Sequence, residues 1–184
     1  MLRRMLRVWS QDGYLRALRF AAEAHLGQTV PGGPLPYLLH VAGVAQEAAA
    51  AIAAEGAEAP DLAVQCALLH DVLEDAGVTP AALEAAFGPA VLAGVAALTK
   101  DAALPKSSRM ADSLERIRRQ PREVWLVKLA DRIVNLQRPP ANWSADRISA
   151  YGVEAGAILT ALGAASPFLA ARLEAKLRAY PPAD

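Results

Sequence analysis

The sequence has one cysteine, few aromatic residues and no excess of either charge, and each shortage excludes a class of protein. Cys66 alone cannot build an internal disulfide framework, so we expect a reducing compartment, the cytoplasm. Lys plus Arg and Asp plus Glu each number 19, so the basic surface of a general nucleic-acid binder is missing. No run of about 18 apolar residues is free of charge, so we expect no membrane span.

The composition that remains favours helices. Alanine, the best helix former, is abundant, whereas aromatic residues amount to only 5% and β-branched residues are sparse. The 54% of hydrophobic and 21% of charged residues exclude a disordered chain. The length of 184 residues suits one domain. We therefore predict an all-α fold, a single compact bundle of about eight or nine helices that spans residues 1–184.

Glycine and proline residues mark the breaks between the predicted helices. QTVPGGPL, residues 28–35, is a loop. DLAVQCALLHDVLEDAG, residues 61–77, predicts one continuous helix ended by its glycine. A long helix opens at Pro121, and residues 144–178 predict two amphipathic helices broken near Ser166-Pro167.

The densest polar cluster follows an apolar stretch. His70 and Asp71 are adjacent, and Glu74 and Asp75 follow about one turn later. An imidazole nitrogen and a carboxylate oxygen together suit Mn²⁺, Fe²⁺ or Zn²⁺. An isolated His-Asp pair usually belongs to an ordinary helix surface, but carboxylates this close repel each other unless a cation compensates. No lysine or arginine occurs between residues 61 and 80, so the pattern favours a cation supplied from outside the sequence.

Two further polar residues interrupt apolar helices. His40 lies among core-like residues, where a histidine usually makes an ordinary buried hydrogen bond. Asp131 lies in an almost wholly apolar helix, where an unpaired carboxylate would be costly, and a salt bridge with Lys128 or Arg132 is the ordinary explanation. Taken with the His-Asp pair, these residues give the order His, His-Asp, Asp along the chain.

This order and its flanking text resemble the HD superfamily of metal-dependent phosphohydrolases, and most closely the stand-alone alarmone hydrolases of the RelA/SpoT type. The resemblance implies an HD-domain helical bundle, with a motif core at about residues 24–136 and C-terminal helices at 144–178 packed on it. The matching stretches, in the order of the family, are AHLGQ (24–28), PYLLHVAGVA (36–45), ALLHDVLEDAGVT (67–79), VAALTK (95–100) and VKLADRIVNL (127–136).

The resemblance also assigns roles to residues. It makes four side chains the ligands of a metal ion, Mn²⁺ in this family with Fe²⁺ or Zn²⁺ also suited: His40, His70, Asp71 and Asp131. Glu74 and Asp75 match the acidic pair that handles the attacking water, and Asn135 matches a residue that contacts the nucleotide. The nearest basic candidates for holding phosphates are Lys100, Lys128, Arg132 and, with an ordinary surface role favoured, Arg109. His25 is given a structural role.

The implied activity is Mn²⁺-dependent removal of the 3′-pyrophosphate of guanosine tetra- or pentaphosphate (ppGpp or pppGpp). The ion would lower the pKa of the attacking water, and Glu74 or Asp75 would accept its proton. The expected partner is therefore a small phosphorylated nucleotide, with no nucleic acid and no membrane. Alanine and leucine stripes on the C-terminal helices fit either core packing or a homo-oligomer.

Two other functions stay open. The element HLGQTVPGGPLPY places Thr29, Val30 and Pro31 where these hydrolases carry an Arg-Lys pair that helps to hold guanine nucleotides. This difference favours a phosphohydrolase that acts on another nucleotide or on a small phosphate ester. The third alternative is a ligand-binding helical module with little catalysis, although the complete set of acidic and histidine residues argues against it.

Overall fold

The structure, a computed structural model, describes residues 8–181. Within this range it contains no strand, only an isolated bridge between Thr29 and Pro36, which confirms the all-α prediction. Nine helices have eight residues or more, as expected, and α4 is a single turn. The helices are α1 (Gln11–Ala24), α2 (Leu38–Glu55), α3 (Pro60–Leu69), α4 (Val72–Asp75), α5 (Pro80–Phe87), α6 (Pro89–Leu98), α7 (Lys106–Arg118), α8 (Arg122–Asn135), α9 (Ala145–Leu162) and α10 (Pro167–Arg178).

Helix α3 lies at the centre of the bundle because it is apolar on every side. Its residues from Ala63 to Leu69 are all buried, and it packs against α1, α2, α6 and α8. The contact with α6 is close: a Cβ added at Gly94 would lie 2.7 Å from Sγ of Cys66. Helices α2 and α8 flank α3, so the central layer consists of the three helices that carry the predicted metal ligands.

The prediction of one continuous helix over residues 61–77 is wrong. Helix α3 ends at Leu69, and the backbone leaves the helical path at Asp71 (φ −104°, ψ 0°) before α4 begins. Side-chain contacts made at the break stabilise it, since Nδ1 of His70 donates to the carbonyl of Ala67 at 2.9 Å. The break lets His70 and Asp71 face the same point, whereas neighbours on a regular helix point about 100° apart.

The C-terminal helices follow the predicted breaks. Ser166 caps α10 by accepting a hydrogen bond from the backbone of Leu169 at 3.1 Å, and Pro167 occupies the first position of the helix. Helix α9 with the turn after it, Ala145–Ala165, is long and apolar enough to cross a membrane by length and composition, with mean hydropathy 1.3. Three of its residues, Ala155, Ile158 and Leu162, are buried, and the helix packs against α8 and α10.

Candidate metal centre and active site

Four side chains from the three central elements meet at one point. Helix α2 supplies His40, whose Nε2 lies 3.2 Å from Nε2 of His70 at the end of α3. Helix α8 supplies Asp131, whose Oδ1 lies 3.5 Å from the first and 3.6 Å from the second of these nitrogens. Asp71 completes the group with Oδ2 at 3.0 Å from His70 and 3.6 Å from His40. We call these residues the ligand cluster.

The geometry of the ligand cluster fits a divalent ion. Ligand atoms about 2.1 Å from one ion lie roughly 3.0–3.5 Å apart. His40, His70 and Asp131 offer ligand atoms that all lie within 4.8 Å of one another, and Asp71 approaches the two histidines. Because Nδ1 of His70 donates to a backbone carbonyl, a neutral His70 turns the lone pair of Nε2 toward the oxygen of Asp71. This short contact needs positive charge between the two atoms, which a proton on Nε2 or a bound ion supplies. Imidazole and carboxylate donors together suit Mn²⁺, Fe²⁺ or Zn²⁺.

The electrostatics of the ligand cluster also favour a positive charge at its centre. Burial alone would lower the pKa of His70, but the carboxylates of Asp71 and Asp131 outweigh it and raise the pKa to about 10. Burial alone would raise the pKa of Asp131, but the Lys128 ammonium and His70 hold it well below its usual range. His70 and His40 lower the pKa of Asp71 in the same way, against the effect of burial.

Two residues predicted to bind substrate contact Asp131. Nζ of Lys128, 5% exposed, lies 3.1 Å from Oδ2 of Asp131. Nδ2 of Asn135 donates to Oδ1 of the same carboxylate at 2.5 Å. Asp131 therefore forms the salt bridge with Lys128 that the sequence suggested as its ordinary role, and it also lies close to His40 and His70. Such contacts fix the orientation of a ligand carboxylate.

The two acids of α4 differ in their partners. Glu74 accepts hydrogen bonds from the backbone of Lys100 at 2.9 Å and from its Nζ at 3.2 Å. Lys100, which follows α6, therefore places a cation of the sequence beside Glu74, although none occurs between residues 61 and 80. The carboxylate of Asp75 accepts no hydrogen bond from the residues that the structure describes. Burial, with the charges of Asp71 and Glu74, raises the pKa of Asp75.

The remaining predicted cations are also engaged. Arg132, 3% exposed, forms a salt bridge with Glu154 of α9, and its guanidinium lies 4.1 Å from the ring centre of Tyr151. Arg109 donates to the carbonyls of Leu104 and Ala102 at 2.8 Å, so it braces the loop before α7, as expected of an ordinary surface residue. His25 contacts Gln28 and is buried, in agreement with a structural role.

A cavity of about 150 Å³ opens at the ligand cluster. All the predicted site residues reach its wall except His40, and the cavity also involves residues that the sequence did not single out: Tyr37, Leu98, Tyr151 and Glu154. Five carboxylates and three permanent cations line it, an excess of two negative charges with neutral histidine, which a divalent ion would balance. Tyr37 lies inside PYLLHVAGVA, one of the stretches that resemble the family, so the sequence offered a signal for it. Tyr151 and Glu154 lie in α9, which contains no such stretch.

Comparison with known proteins identifies the family. A model of the HD domain family matches residues 17–166. The chain belongs to the HD domain family. This result confirms the resemblance seen in the motifs, since the matched range includes the ligand cluster and both acids of α4.

Several relatives carry the name guanosine-3′,5′-bis(diphosphate) 3′-pyrophosphohydrolase MESH1. The zebrafish (Danio rerio) protein is 38% identical over 144 residues, which cover 74% of this chain and 77% of that protein. The human protein is 37% identical over the same length and coverage. A solved structure of a metazoan ortholog of SpoT that hydrolyses ppGpp has a TM-score of 0.79 and 28% identity, covering 94% of this chain and 97% of that one.

Proposed function

We propose that this protein is an Mn²⁺-dependent hydrolase that releases pyrophosphate from the 3′ position of ppGpp or pppGpp. The observation that carries the proposal is the group of His40, His70 and Asp131, with Asp71 in contact with both histidines, at a cavity that Asp75 also lines. The relatives named for this activity cover about three quarters of the chain and support the same reaction. Members of the ligand cluster also suit Fe²⁺ or Zn²⁺, so the choice of Mn²⁺ rests on the family resemblance.

The ligand cluster would hold the ion through Nε2 of each histidine and one oxygen of each aspartate. Once bound, a divalent ion lowers the pKa of a water molecule and withdraws charge from a phosphoryl group. The chain fixes the donors in advance. Ala67 orients His70, and Lys128 and Asn135 orient Asp131, so little rearrangement is needed on binding.

Asp75 is the acid best suited to accept the proton of the attacking water. Its carboxylate is free of hydrogen bonds from the described residues, and its raised pKa makes it a stronger base than an ordinary aspartate. Glu74 has both oxygens engaged by Lys100, so it anchors the start of the 101–105 loop to α4. The water oxygen forms a bond to the phosphorus attached to the ribose 3′-oxygen, and the bond between this phosphorus and the 3′-oxygen breaks. Pyrophosphate is released, and the 3′-oxygen takes up a proton to become the hydroxyl of GDP.

The experiment is an assay of pyrophosphate release from ppGpp by the purified protein with Mn²⁺. We expect one pyrophosphate and one GDP per ppGpp, and no release after Asp71→Asn. Asp112→Asn is the matched control, because Asp112 pairs with Arg116 on α7, outside the cavity. A protein that binds Mn²⁺ but leaves ppGpp intact contradicts the proposal.

One observation favours a second candidate, a phosphohydrolase acting on a different nucleotide or small phosphate ester. Thr29, Val30 and Pro31 supply no cation. Each of the three cavity cations, Lys100, Lys128 and Arg132, already contacts a carboxylate. A panel of phosphorylated nucleotides and phosphate esters with Mn²⁺ separates the candidates, since turnover of another compound with ppGpp inert selects the second.

A further inference from the structure

Tyr37 contacts the ligand cluster, and neither the motifs nor the proposed mechanism gives it a role. It immediately precedes α2, three residues before His40, and lines the cavity. Its hydroxyl donates to Oδ2 of Asp71 at 2.5 Å. This oxygen is the one that lies 3.0 Å from Nε2 of His70, so the tyrosine touches the ligand atom itself.

The ring of Tyr37 is fixed from several directions. It lies between the rings of His25 and His40, at centroid distances of 4.8 and 5.2 Å. Its backbone amide donates to the carbonyl of Gln28 at 2.9 Å, and its carbonyl accepts from the amide of His40 at the same distance. The hydroxyl therefore has little freedom to move, and its position is tied to the helix that carries a second ligand.

The hydroxyl acts as a donor. A tyrosine phenol, with an ordinary pKa of about 10, carries its proton at neutral pH. An ionised carboxylate only accepts hydrogen bonds, so the contact has one direction.

The two ligand carboxylates differ in what supports them. Asp131 is held by Lys128 and Asn135 on its own helix. Asp71 follows the break after α3, where no regular helix fixes its side chain. Among the described residues outside the ligand cluster, Tyr37 is the one that donates a hydrogen bond to the carboxylate of Asp71. Loss of this hydroxyl would leave the orientation of Asp71 to its contacts with the two histidines.

We infer that Tyr37 is a positioning residue that holds Asp71 in the orientation needed to bind a divalent ion. The inference rests on the metal site of the proposed function, but not on the identity of the substrate. Hydrogen-bond partners of metal ligands typically contribute about 10- to 100-fold to metal affinity. The hydroxyl should therefore affect ion binding in the absence of any substrate.

Tyr37→Phe tests the inference, because it removes the hydroxyl and keeps the ring between the two histidines. Calorimetric titration of the metal-free protein with Mn²⁺ should give an affinity about 10- to 100-fold weaker than wild type. Tyr14→Phe is the matched control, because Tyr14 on α1 is also half-buried, and the Mn²⁺ affinity of this variant should equal that of wild type. Circular dichroism of both metal-free variants, with titration below their melting temperatures, ensures that folded proteins are compared.

A double-mutant cycle shows whether Tyr37 acts through Asp71. In the Asp71→Ala background, adding Tyr37→Phe should change the Mn²⁺ affinity by less than about twofold. An unchanged affinity of the single Tyr37→Phe variant, or an equal loss in the two backgrounds, overturns the inference. Wild-type protein that binds Mn²⁺ without hydrolysing ppGpp would instead contradict the proposed function and leave the comparison of Tyr37 variants valid.

Discussion

The ligand cluster and the outer part of the cavity are built differently. The ligand cluster comes from the central helices α2 and α8 and the end of α3, and its histidines are 6% and 4% exposed. The outer part is formed by Tyr151 and Glu154 of α9 and by Lys100 after α6. Arg132 of α8 reaches it by pairing with Glu154, and Lys100 pairs with Glu74. The proposed metal site is thus held by the hydrophobic core, whereas the side chains of Lys100 and Glu154 are more than a third exposed and are constrained less by packing.

Asp131→Asn should show the largest effect. The change keeps the volume of the side chain but removes the charge that four other side chains contact. We therefore expect a loss of activity of about 10,000-fold or more, several kcal/mol of transition-state stabilisation. Wild-type protein should gain thermal stability on adding Mn²⁺, because the ion binds only the folded state. This gain should disappear in the variant. Retention of both properties would remove Asp131 from the ligand cluster.

Asp75→Asn separates catalysis from metal binding. We expect kcat to fall by about 100- to 1,000-fold, the effect of losing a general base, while calorimetry shows an unchanged affinity for Mn²⁺. A parallel loss of Mn²⁺ affinity would mean that Asp75 belongs to the ligand cluster instead.

The pH profile of kcat tests the same residue. Asp75 must be ionised to accept a proton, so activity should rise with pH as this carboxyl loses its proton. Because burial and neighbouring carboxylates raise the pKa of Asp75, the rise should occur at higher pH than the value of about 3.9 for an ordinary aspartate. In Asp75→Glu, kcat should still rise with pH in the acidic range, because a carboxylate remains. If the same rise persists unchanged in Asp75→Asn, Asp75 is not the group that accepts the proton.

Arg132→Gln probes the outer part of the cavity. Loss of the guanidinium should raise KM for ppGpp by about tenfold, as expected for one charge-assisted contact, with little change in Mn²⁺ affinity. Steady-state kinetics with Arg119→Gln, an exposed arginine paired with Glu115 on α7, provide the control. A drop in Mn²⁺ affinity for Arg132→Gln would erase the distinction between the two regions.

Thr29→Lys should give the smallest effect. The exposed residue lies in the loop that lacks the Arg-Lys pair, next to Gln28, which donates to the carbonyl of Asp75 at 2.8 Å. A cation there should lower KM for ppGpp by about two- to fivefold, and added salt should remove the gain. Thr29→Gln is the uncharged control. A gain that survives high salt would come from something other than charge.

The family resemblance grouped His40, His70 and Asp131, and the structure brings these three side chains together. His40 and Asp131 are visible as polar positions in core helices, and Ser166-Pro167 is visible as a helix start. The break at His70 was missed, because local helix propensity does not register the tertiary contacts that favour it. Glu154 was missed because its partner, Arg132, lies 22 positions earlier in the chain.

Crystals soaked in Mn²⁺ and measured at the manganese absorption edge test whether the four side chains bind one ion. We expect a single anomalous peak about 2.0–2.3 Å from Nε2 of His40, Nε2 of His70 and one carboxylate oxygen each of Asp71 and Asp131. A peak at another place, or no peak at all while the protein hydrolyses ppGpp, would contradict the ligand cluster.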